Sequence, residues 1–112
     1  MEIQFNVHET VGVVAVNGSL DASTAAELNE YVSTQTSAGH SQLILDLSQV
    51  EFMSSAGLRA ILVSLKESRR EGGDLRLAAA QPGTEKVLKI SGFLSIIKSY
   101  PSVADALGSF TE

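Results

Sequence analysis

The feature that most limits the fold is an alternation of strand-like and helix-like hydrophobic patterns through the second half of the chain. A near-continuous apolar run at Leu43–Leu45 is typical of a central strand covered on both faces. Apolar residues then recur at helical spacing, at Leu58, Ile61, Leu62 and Leu65. A strand pattern at 74–80 follows, and then a helix over 82–91 that starts near Thr84. A short strand at 95–100 and a helix from Pro101 complete the chain. Strands separated by helices are joined by parallel crossovers, so we predict a layered α/β fold.

The first half of the chain adds a hairpin and one more helix. Apolar and polar residues alternate through 3–8, and Val11, Val14 and Val16 continue after a turn at Glu9 and Thr10, which predicts a hairpin of two strands. Thr24 and Glu27 fit the S/T-x-x-E capping box, so we expect them to begin a helix that ends before Gly39.

Size and charge exclude several classes of protein. The 112 residues suit one domain over 1–112, and the formal net charge of -5 opposes binding to a nucleic-acid backbone. The chain has no cysteine, and His8 and His40 do not have metal-ligand spacing, so we expect no metal and no cofactor. The amino terminus does not resemble a signal peptide, and no apolar stretch approaches the roughly 20 residues of a membrane span. We therefore expect a cytoplasmic protein that is not associated with a membrane.

Two serines mark the most informative position in the sequence. Ser54 and Ser55 lie where the connector 48–54 meets the longest predicted helix, beyond the carboxyl end of the central strand. In α/β sheets, ligands and partners meet the loops at this end of the strands. Within the run MSSAG, Ala56 and Gly57 leave little side chain to shield Ser55, and Gly57 lowers helix propensity. We therefore expect the backbone there to be open to a visiting molecule. The serines are therefore either helix caps or parts of a binding surface.

Catalysis by Ser55 is disfavoured. A serine nucleophile needs a base within hydrogen-bond reach, and the run MSSAG does not match the G-x-S-x-G elbow. Neither histidine is placed beside Ser55 by any pattern, so we expect no enzyme activity, and a hydrolase would require a base that the sequence does not reveal. Arg59, Lys66 and Arg70 share one helical face, which is either a phosphate-binding stripe or, as we favour, a solvated surface.

Three segments resemble the STAS domains of the bacterial anti-sigma factor antagonist type. The run LILDLSQVEFMSSAGLRAIL at 43–62 looks like the core motif of that family. GSLDASTAAEL at 18–28 is similar to the family's first loop, and ISGFLSII at 90–97 extends the likeness. The resemblance implies a mixed sheet of about four to five strands, with about four helices packed mainly on one face.

The resemblance also assigns roles to individual residues. It places a phosphorylated serine at Ser55, with Ser54 as the second candidate, because Ser54 occupies a position that is acidic in the family motif. Asp21 matches the aspartate of the first loop, and Asp46 matches a polar residue that ends the central strand. Ser19 stands where an acid is common. The predicted partner-binding set is Asp21, Ser54, Ser55, Ala56, Gly57, Leu58 and Arg59.

The function that the resemblance implies is partner switching. The unmodified protein would bind an anti-sigma factor that is also a serine kinase of the GHKL type, and phosphorylation at Ser55 would end the binding. A metal-dependent serine phosphatase would restore the unmodified form. The alternative is a STAS interaction module with a different output, in another signalling complex or a lipid-transport assembly. We expect the protein alone to be a monomer.

Overall fold

The computed structural model describes residues 1–111, which contain five β-strands and four α-helices. A 3₁₀ turn at Phe93–Ser95 lies before the last strand. In chain order the elements are β1 (Glu2–His8), β2 (Val11–Asn17), α1 (Ala25–Ser37), β3 (Gln42–Gln49), α2 (Ser55–Arg70), β4 (Asp74–Ala78), α3 (Pro82–Ile90), β5 (Ser99–Tyr100) and α4 (Val103–Ser109). The longest helix in residues 1–111 is α2. No helix in this range has the length and apolar composition needed to cross a membrane.

The five strands form one sheet in the order in which they occur along the chain. β1 and β2 pair antiparallel as a hairpin, and β2, β3, β4 and β5 are parallel to one another. The predicted hairpin and the predicted mixed α/β sheet are therefore confirmed. Because β2 and β3 are parallel neighbours, the loops that follow them emerge at the same end of the sheet.

The helices lie mainly on one face of the sheet, as the resemblance implied. Leu28 of α1, Leu65 of α2 and Leu88 of α3 are buried in one cluster with Leu45 of the central strand. On the other face, Ala106 of α4 belongs to a smaller cluster that includes strand residues of β2, β3 and β4. Burial of these apolar side chains on both faces stabilises the sheet and holds the ends of its strands in place.

The predicted capping box at Thr24 and Glu27 is wrong. Thr24 is the residue before α1, but its hydroxyl makes no capping hydrogen bond. The Thr24 Oγ1 instead donates to the carbonyl oxygen of Ser19 at 2.8 Å and accepts from the backbone N–H of Asp21 at 3.1 Å. The hydroxyl therefore stabilises the turn before the helix rather than the first turn of the helix.

Three other boundaries differ from the prediction. Asp46 does not end the central strand, because β3 continues to Gln49; Asp46 Oδ1 accepts from the backbone N–H of Ser48 at 3.0 Å. α3 begins at Pro82 rather than near Thr84, as suits a proline in the first helical turn. Of the strand expected at 95–100, only Ser99–Tyr100 forms, since Ser95 ends the 3₁₀ turn and residues 96–98 are irregular.

Candidate functional site

Two loops that follow neighbouring parallel strands are joined by backbone hydrogen bonds. The N–H of Leu20, after β2, donates to the carbonyl oxygen of Phe52, after β3, at 2.9 Å. The N–H of Ser54 donates back to the carbonyl oxygen of Leu20, also at 2.9 Å. Leu20 and Met53 form an isolated parallel bridge, and both side chains are buried. This arrangement brings the segment containing Asp21 against the start of α2, as the shared sheet end predicts.

Gly57 allows the two segments to approach so closely. A Cβ on this residue would lie 2.3 Å from the carbonyl oxygen of Leu20, a distance that no real Cβ tolerates. Gly57 is buried and therefore does not expose backbone to a visiting molecule, which corrects the interpretation of the MSSAG run. The glycine is required for packing of the first turn of α2 against the Leu20 loop.

Ser54 and Ser55 have different environments. Ser54 is the residue before α2, it is half-buried, and its Oγ accepts from the backbone N–H of Gly57 at 3.4 Å. Ser55 is the first residue of α2, it is exposed, and its side chain makes no hydrogen bond within residues 1–111. The capping role therefore belongs to Ser54, and the hydroxyl of Ser55 is left exposed to solvent.

The residues after Ser55 divide between core and surface. Ala56 and Leu58 are half-buried, and Leu58 packs against the main hydrophobic cluster. Arg59 is exposed, and in the described part of the chain its guanidinium makes neither an ion pair nor a hydrogen bond. Arg59 is four positions after Ser55, so both side chains lie on the outer face of α2. The accessible chemistry at the start of α2 is thus one hydroxyl and one cation.

Asp21 organises the turn that precedes α1. Its Oδ1 accepts a hydrogen bond from the Ser23 hydroxyl at 2.6 Å and another from the Ser23 backbone N–H at 2.9 Å. These hydrogen bonds hold the pKa of the Asp21 carboxyl below its usual value. The carboxylate therefore stabilises the loop that contacts the start of α2.

Phe52 is a candidate site residue that the sequence analysis missed. Its side chain is 55% exposed, although it lies in the connector directly before the two serines. Exposed aromatic residues are enriched at protein interfaces, because they bury a large area on binding. The available signal was a phenylalanine in a connector, outside the periodic pattern of any strand or helix.

Neither histidine is placed to activate Ser55 as a nucleophile. His8 pairs with Val11 at the amino-terminal end of β2, and His40 precedes β3. Both histidines therefore lie at the opposite end of the sheet from Ser55. Across residues 1–111 there is also no group of three or more histidine or carboxylate side chains arranged to hold a metal ion.

Similarity to known proteins agrees with the fold. The STAS domain family matches residues 2–106. BtrV of Bordetella bronchiseptica, which is provisionally named an anti-sigma factor antagonist, is 33% identical over 98 residues, or 88% of this chain and 84% of BtrV. The crystal structure of an anti-sigma factor antagonist from Mycobacterium paratuberculosis has a TM-score of 0.89 at 28% identity, covering 99% of this chain and 94% of that one.

The same fold occurs in SpoIIAA, an anti-sigma factor antagonist. Its unphosphorylated form has a TM-score of 0.73 at 19% identity and covers 98% of this chain and 97% of its own. The phosphorylated form of SpoIIAA from Bacillus has a TM-score of 0.72 at 22% identity, covering 97% and 99%. With a family match over nearly its whole length and relatives named for this role, the chain belongs to the STAS domain family.

Proposed function

We propose that this protein is an anti-sigma factor antagonist whose binding is controlled by phosphorylation of Ser55. The observation that carries the proposal is the accessible, unbonded hydroxyl of Ser55 at the first position of α2. Relatives that are similar over most of their length are named anti-sigma factor antagonists, which supports an anti-sigma factor as the partner. The protein itself performs no chemistry in this proposal and acts as a ligand and as a kinase substrate.

The modification is an ordinary phosphoryl transfer. A partner kinase of the GHKL type transfers the γ-phosphoryl group of ATP to the Oγ of Ser55. A new O–P bond forms, the bond between the β,γ-bridging oxygen and the γ-phosphorus breaks, and ADP and a proton are released. A metal-dependent serine phosphatase reverses the state by adding water to the phosphorus, which releases inorganic phosphate and restores the hydroxyl.

The fold is expected to tolerate the phosphate. The first turn of α2 has no acidic residue, and the positive end of the helix dipole favours an anion there by roughly 0.3–1 kcal/mol. The STAS fold is also found in both the phosphorylated and the unphosphorylated form of SpoIIAA. We therefore expect the modified protein to keep its structure and to change its surface.

The partner surface is more sensitive to the change. Phosphorylation adds about -1.5 to -2 charges at pH 7, three positions along the chain from the exposed Phe52. An interface that closes over these groups would have to desolvate the dianion or face it with its own charges. Each 1.4 kcal/mol of unfavourable free energy lowers affinity about tenfold, so one phosphate is sufficient to separate the proteins.

Ser55 is a better acceptor than Ser54. The Ser54 hydroxyl is half-buried and accepts from the backbone N–H of Gly57. A kinase would have to remove this cap in order to reach Ser54, whereas the side chain of Ser55 already faces solvent. The partner-contact set in this proposal contains Phe52, Ser55 and Arg59 as accessible groups, while Gly57 and Leu58 support the local fold.

The test is an affinity capture from host lysate with wild-type and Ser55→Asp proteins as baits. Ser33→Asp is the matched control, because Ser33 is exposed on α1 and gives the same change of charge. We expect a GHKL-type kinase to bind the wild type and the control but not Ser55→Asp. Retention of the same proteins by all three baits would contradict control through Ser55. Capture of a different partner set that Ser55→Asp loses would indicate a STAS module with a non-sigma output.

A further inference from the structure

The cationic side chains of this protein are confined to the second half of the sequence. Residues 1–58 contain seven carboxylate side chains and no lysine or arginine. Every lysine and arginine lies between Arg59 and Lys98, so Arg59 is the first cation of the chain. It is also one helical turn from Ser55, where the first half of the sequence, which has no lysine or arginine, meets the second half, which contains all of them.

Arg59 differs from the other arginines in its surroundings. Arg69 and Arg76 both pair with Asp74, at 3.0 Å and 3.1 Å, and Arg70 pairs with Glu67. Within residues 1–111, Arg59 is the arginine whose guanidinium has no acidic partner. The exposed guanidinium beside the exposed hydroxyl of Ser55 therefore has its full hydrogen-bonding capacity available.

We propose that Arg59 is the internal binding group for the phosphate on Ser55, an inference that rests on the proposed function. The two residues are separated by about 6 Å along the axis of α2, which side chains at i and i+4 readily span. The acidic group would lie on the amino-terminal side of the basic group, which is the more favourable order in a helix. A planar guanidinium can also donate two parallel hydrogen bonds to a phosphate.

This pairing changes the partner surface in two ways at once. In the unmodified protein, the guanidinium of Arg59 is free to contact a carboxylate on a partner. After phosphorylation, the same guanidinium is held by the phosphate, so a dianion appears and an available cation disappears. The switch is therefore stronger than the added phosphate alone would make it.

Other charged groups around Ser55 act in the opposite direction. Asp21 lies in the loop bonded to the start of α2, and Glu51 is exposed in the connector. Both carboxylates would disfavour a second negative charge on the phosphate. On α2 itself the next outward-facing cation is Lys66, about 16 Å from Ser55 along the axis. The effect of Arg59 on the ionisation of the phosphate is therefore best measured by comparing variants that have and lack this arginine.

The experiment uses the full chain with phosphoserine installed at position 55 by genetic encoding. Titration of its phosphorus NMR signal gives the second acid dissociation constant of the phosphate. We expect this constant to be about two- to threefold smaller in Arg59→Gln than in the wild type, since the dianion loses its cation. Lys66→Gln is the matched control and should leave the constant unchanged. Arg59→Lys should restore part of the effect.

Equal constants in the wild type and Arg59→Gln would overturn the inference, and so would an equal change in Lys66→Gln. Arg59 is exposed and unbonded, so its replacement should preserve the fold, and circular dichroism of each variant verifies this. The titration is made on the isolated protein. A titration with no effect of Arg59 would therefore contradict only the pairing of Arg59 with the phosphate. A lysate capture with no effect of Ser55→Asp would contradict only the control of binding through Ser55.

Discussion

The carbonyl oxygen of Leu20 occupies the space that a side chain on residue 57 would need. A Cβ on Gly57 would lie 2.3 Å from that oxygen, and 2.8 Å from the carbonyl carbon of Leu20. Leu20 is also bonded to the backbone of Phe52 and Ser54. The contact between Leu20 and Gly57 therefore sets the position of the first turn of α2, and with it the position of Ser55.

Gly57→Ala should destabilise the protein. Relief of the clash with Leu20 requires a shift of backbone, and overpacking of this kind typically costs about 1–3 kcal/mol. Urea denaturation measures the change. Gly83→Ala is the matched control, because a Cβ on Gly83 of α3 meets nothing within 4 Å. Because alanine has a higher helix propensity than glycine, Gly83→Ala should stabilise the fold by up to about 1 kcal/mol. Equal effects of the two variants would contradict the close contact.

The two serines at the start of α2 should differ in their contribution to stability. Ser54→Ala removes the hydroxyl that accepts from the Gly57 N–H, and we expect a loss of about 0.5–1 kcal/mol. Ser55→Ala removes an exposed, unbonded hydroxyl and should change the free energy of unfolding by less than about 0.5 kcal/mol. Thermal and urea unfolding compare them. A larger loss for Ser55→Ala would make Ser55 the cap and weaken its assignment as the modified residue.

Two buried serines of α2 provide a test of the packing between α1 and α2. The Ser68 Oγ is buried without a hydrogen-bond partner in the described chain, so Ser68→Ala should be neutral or stabilising by up to about 1 kcal/mol. The Ser64 Oγ accepts from Asn29 Nδ2 at 3.1 Å, and Ser64→Ala should cost about 0.5–1.5 kcal/mol. Chemical denaturation separates the two. A clear loss in Ser68→Ala would show that this hydroxyl is bonded.

The loop aspartate predicts a pH dependence of stability. Its hydrogen bonds lower the pKa of Asp21 in the folded state, so its contribution is present above the unfolded value of 3.8 and is lost as pH falls through the folded pKa. Between pH 7 and about pH 3, the wild type should therefore lose more stability than Asp21→Asn. Glu30→Gln is the control, since Glu30 is exposed and its carboxylate makes no hydrogen bond within residues 1–111. An Asp21→Asn variant with the same pH dependence as the wild type would contradict this role.

Strong periodicity explains why most of the fold could be predicted from the sequence. The spacing from Leu58 to Leu65 predicted α2, because a single apolar face has to be buried against the sheet. Leu43–Leu45 predicted the central strand, because a strand that is buried on both faces has apolar residues without alternation. The extent of β5 could not be predicted, because the segment 95–100 fits a strand pattern, but Ser95 ends a 3₁₀ turn and Ile97 enters the core before the strand begins at Ser99.

The site was predicted less completely, because several of its contacts join distant segments. The sequence around Thr24 allows its hydroxyl either to cap α1 or to stabilise the preceding turn. The hydroxyl stabilises the turn because the folded loop brings the backbone of Ser19 and Asp21 within hydrogen-bond distance. The role of Gly57 depends on the carbonyl of Leu20, which is 37 positions away in the numbering. Local patterns cannot indicate that a backbone atom from another strand end will arrive there.

The most direct test of the account compares one protein in two chemical states. The kinase retained by the wild type in the capture experiment is purified, and calorimetry measures its affinity for the unmodified chain and for the chain with phosphoserine at position 55. We predict that phosphorylation weakens binding at least about 100-fold, equivalent to roughly 2.8 kcal/mol, with the thermal unfolding midpoint nearly unchanged. Equal affinities for the two states would contradict control of the partner through Ser55.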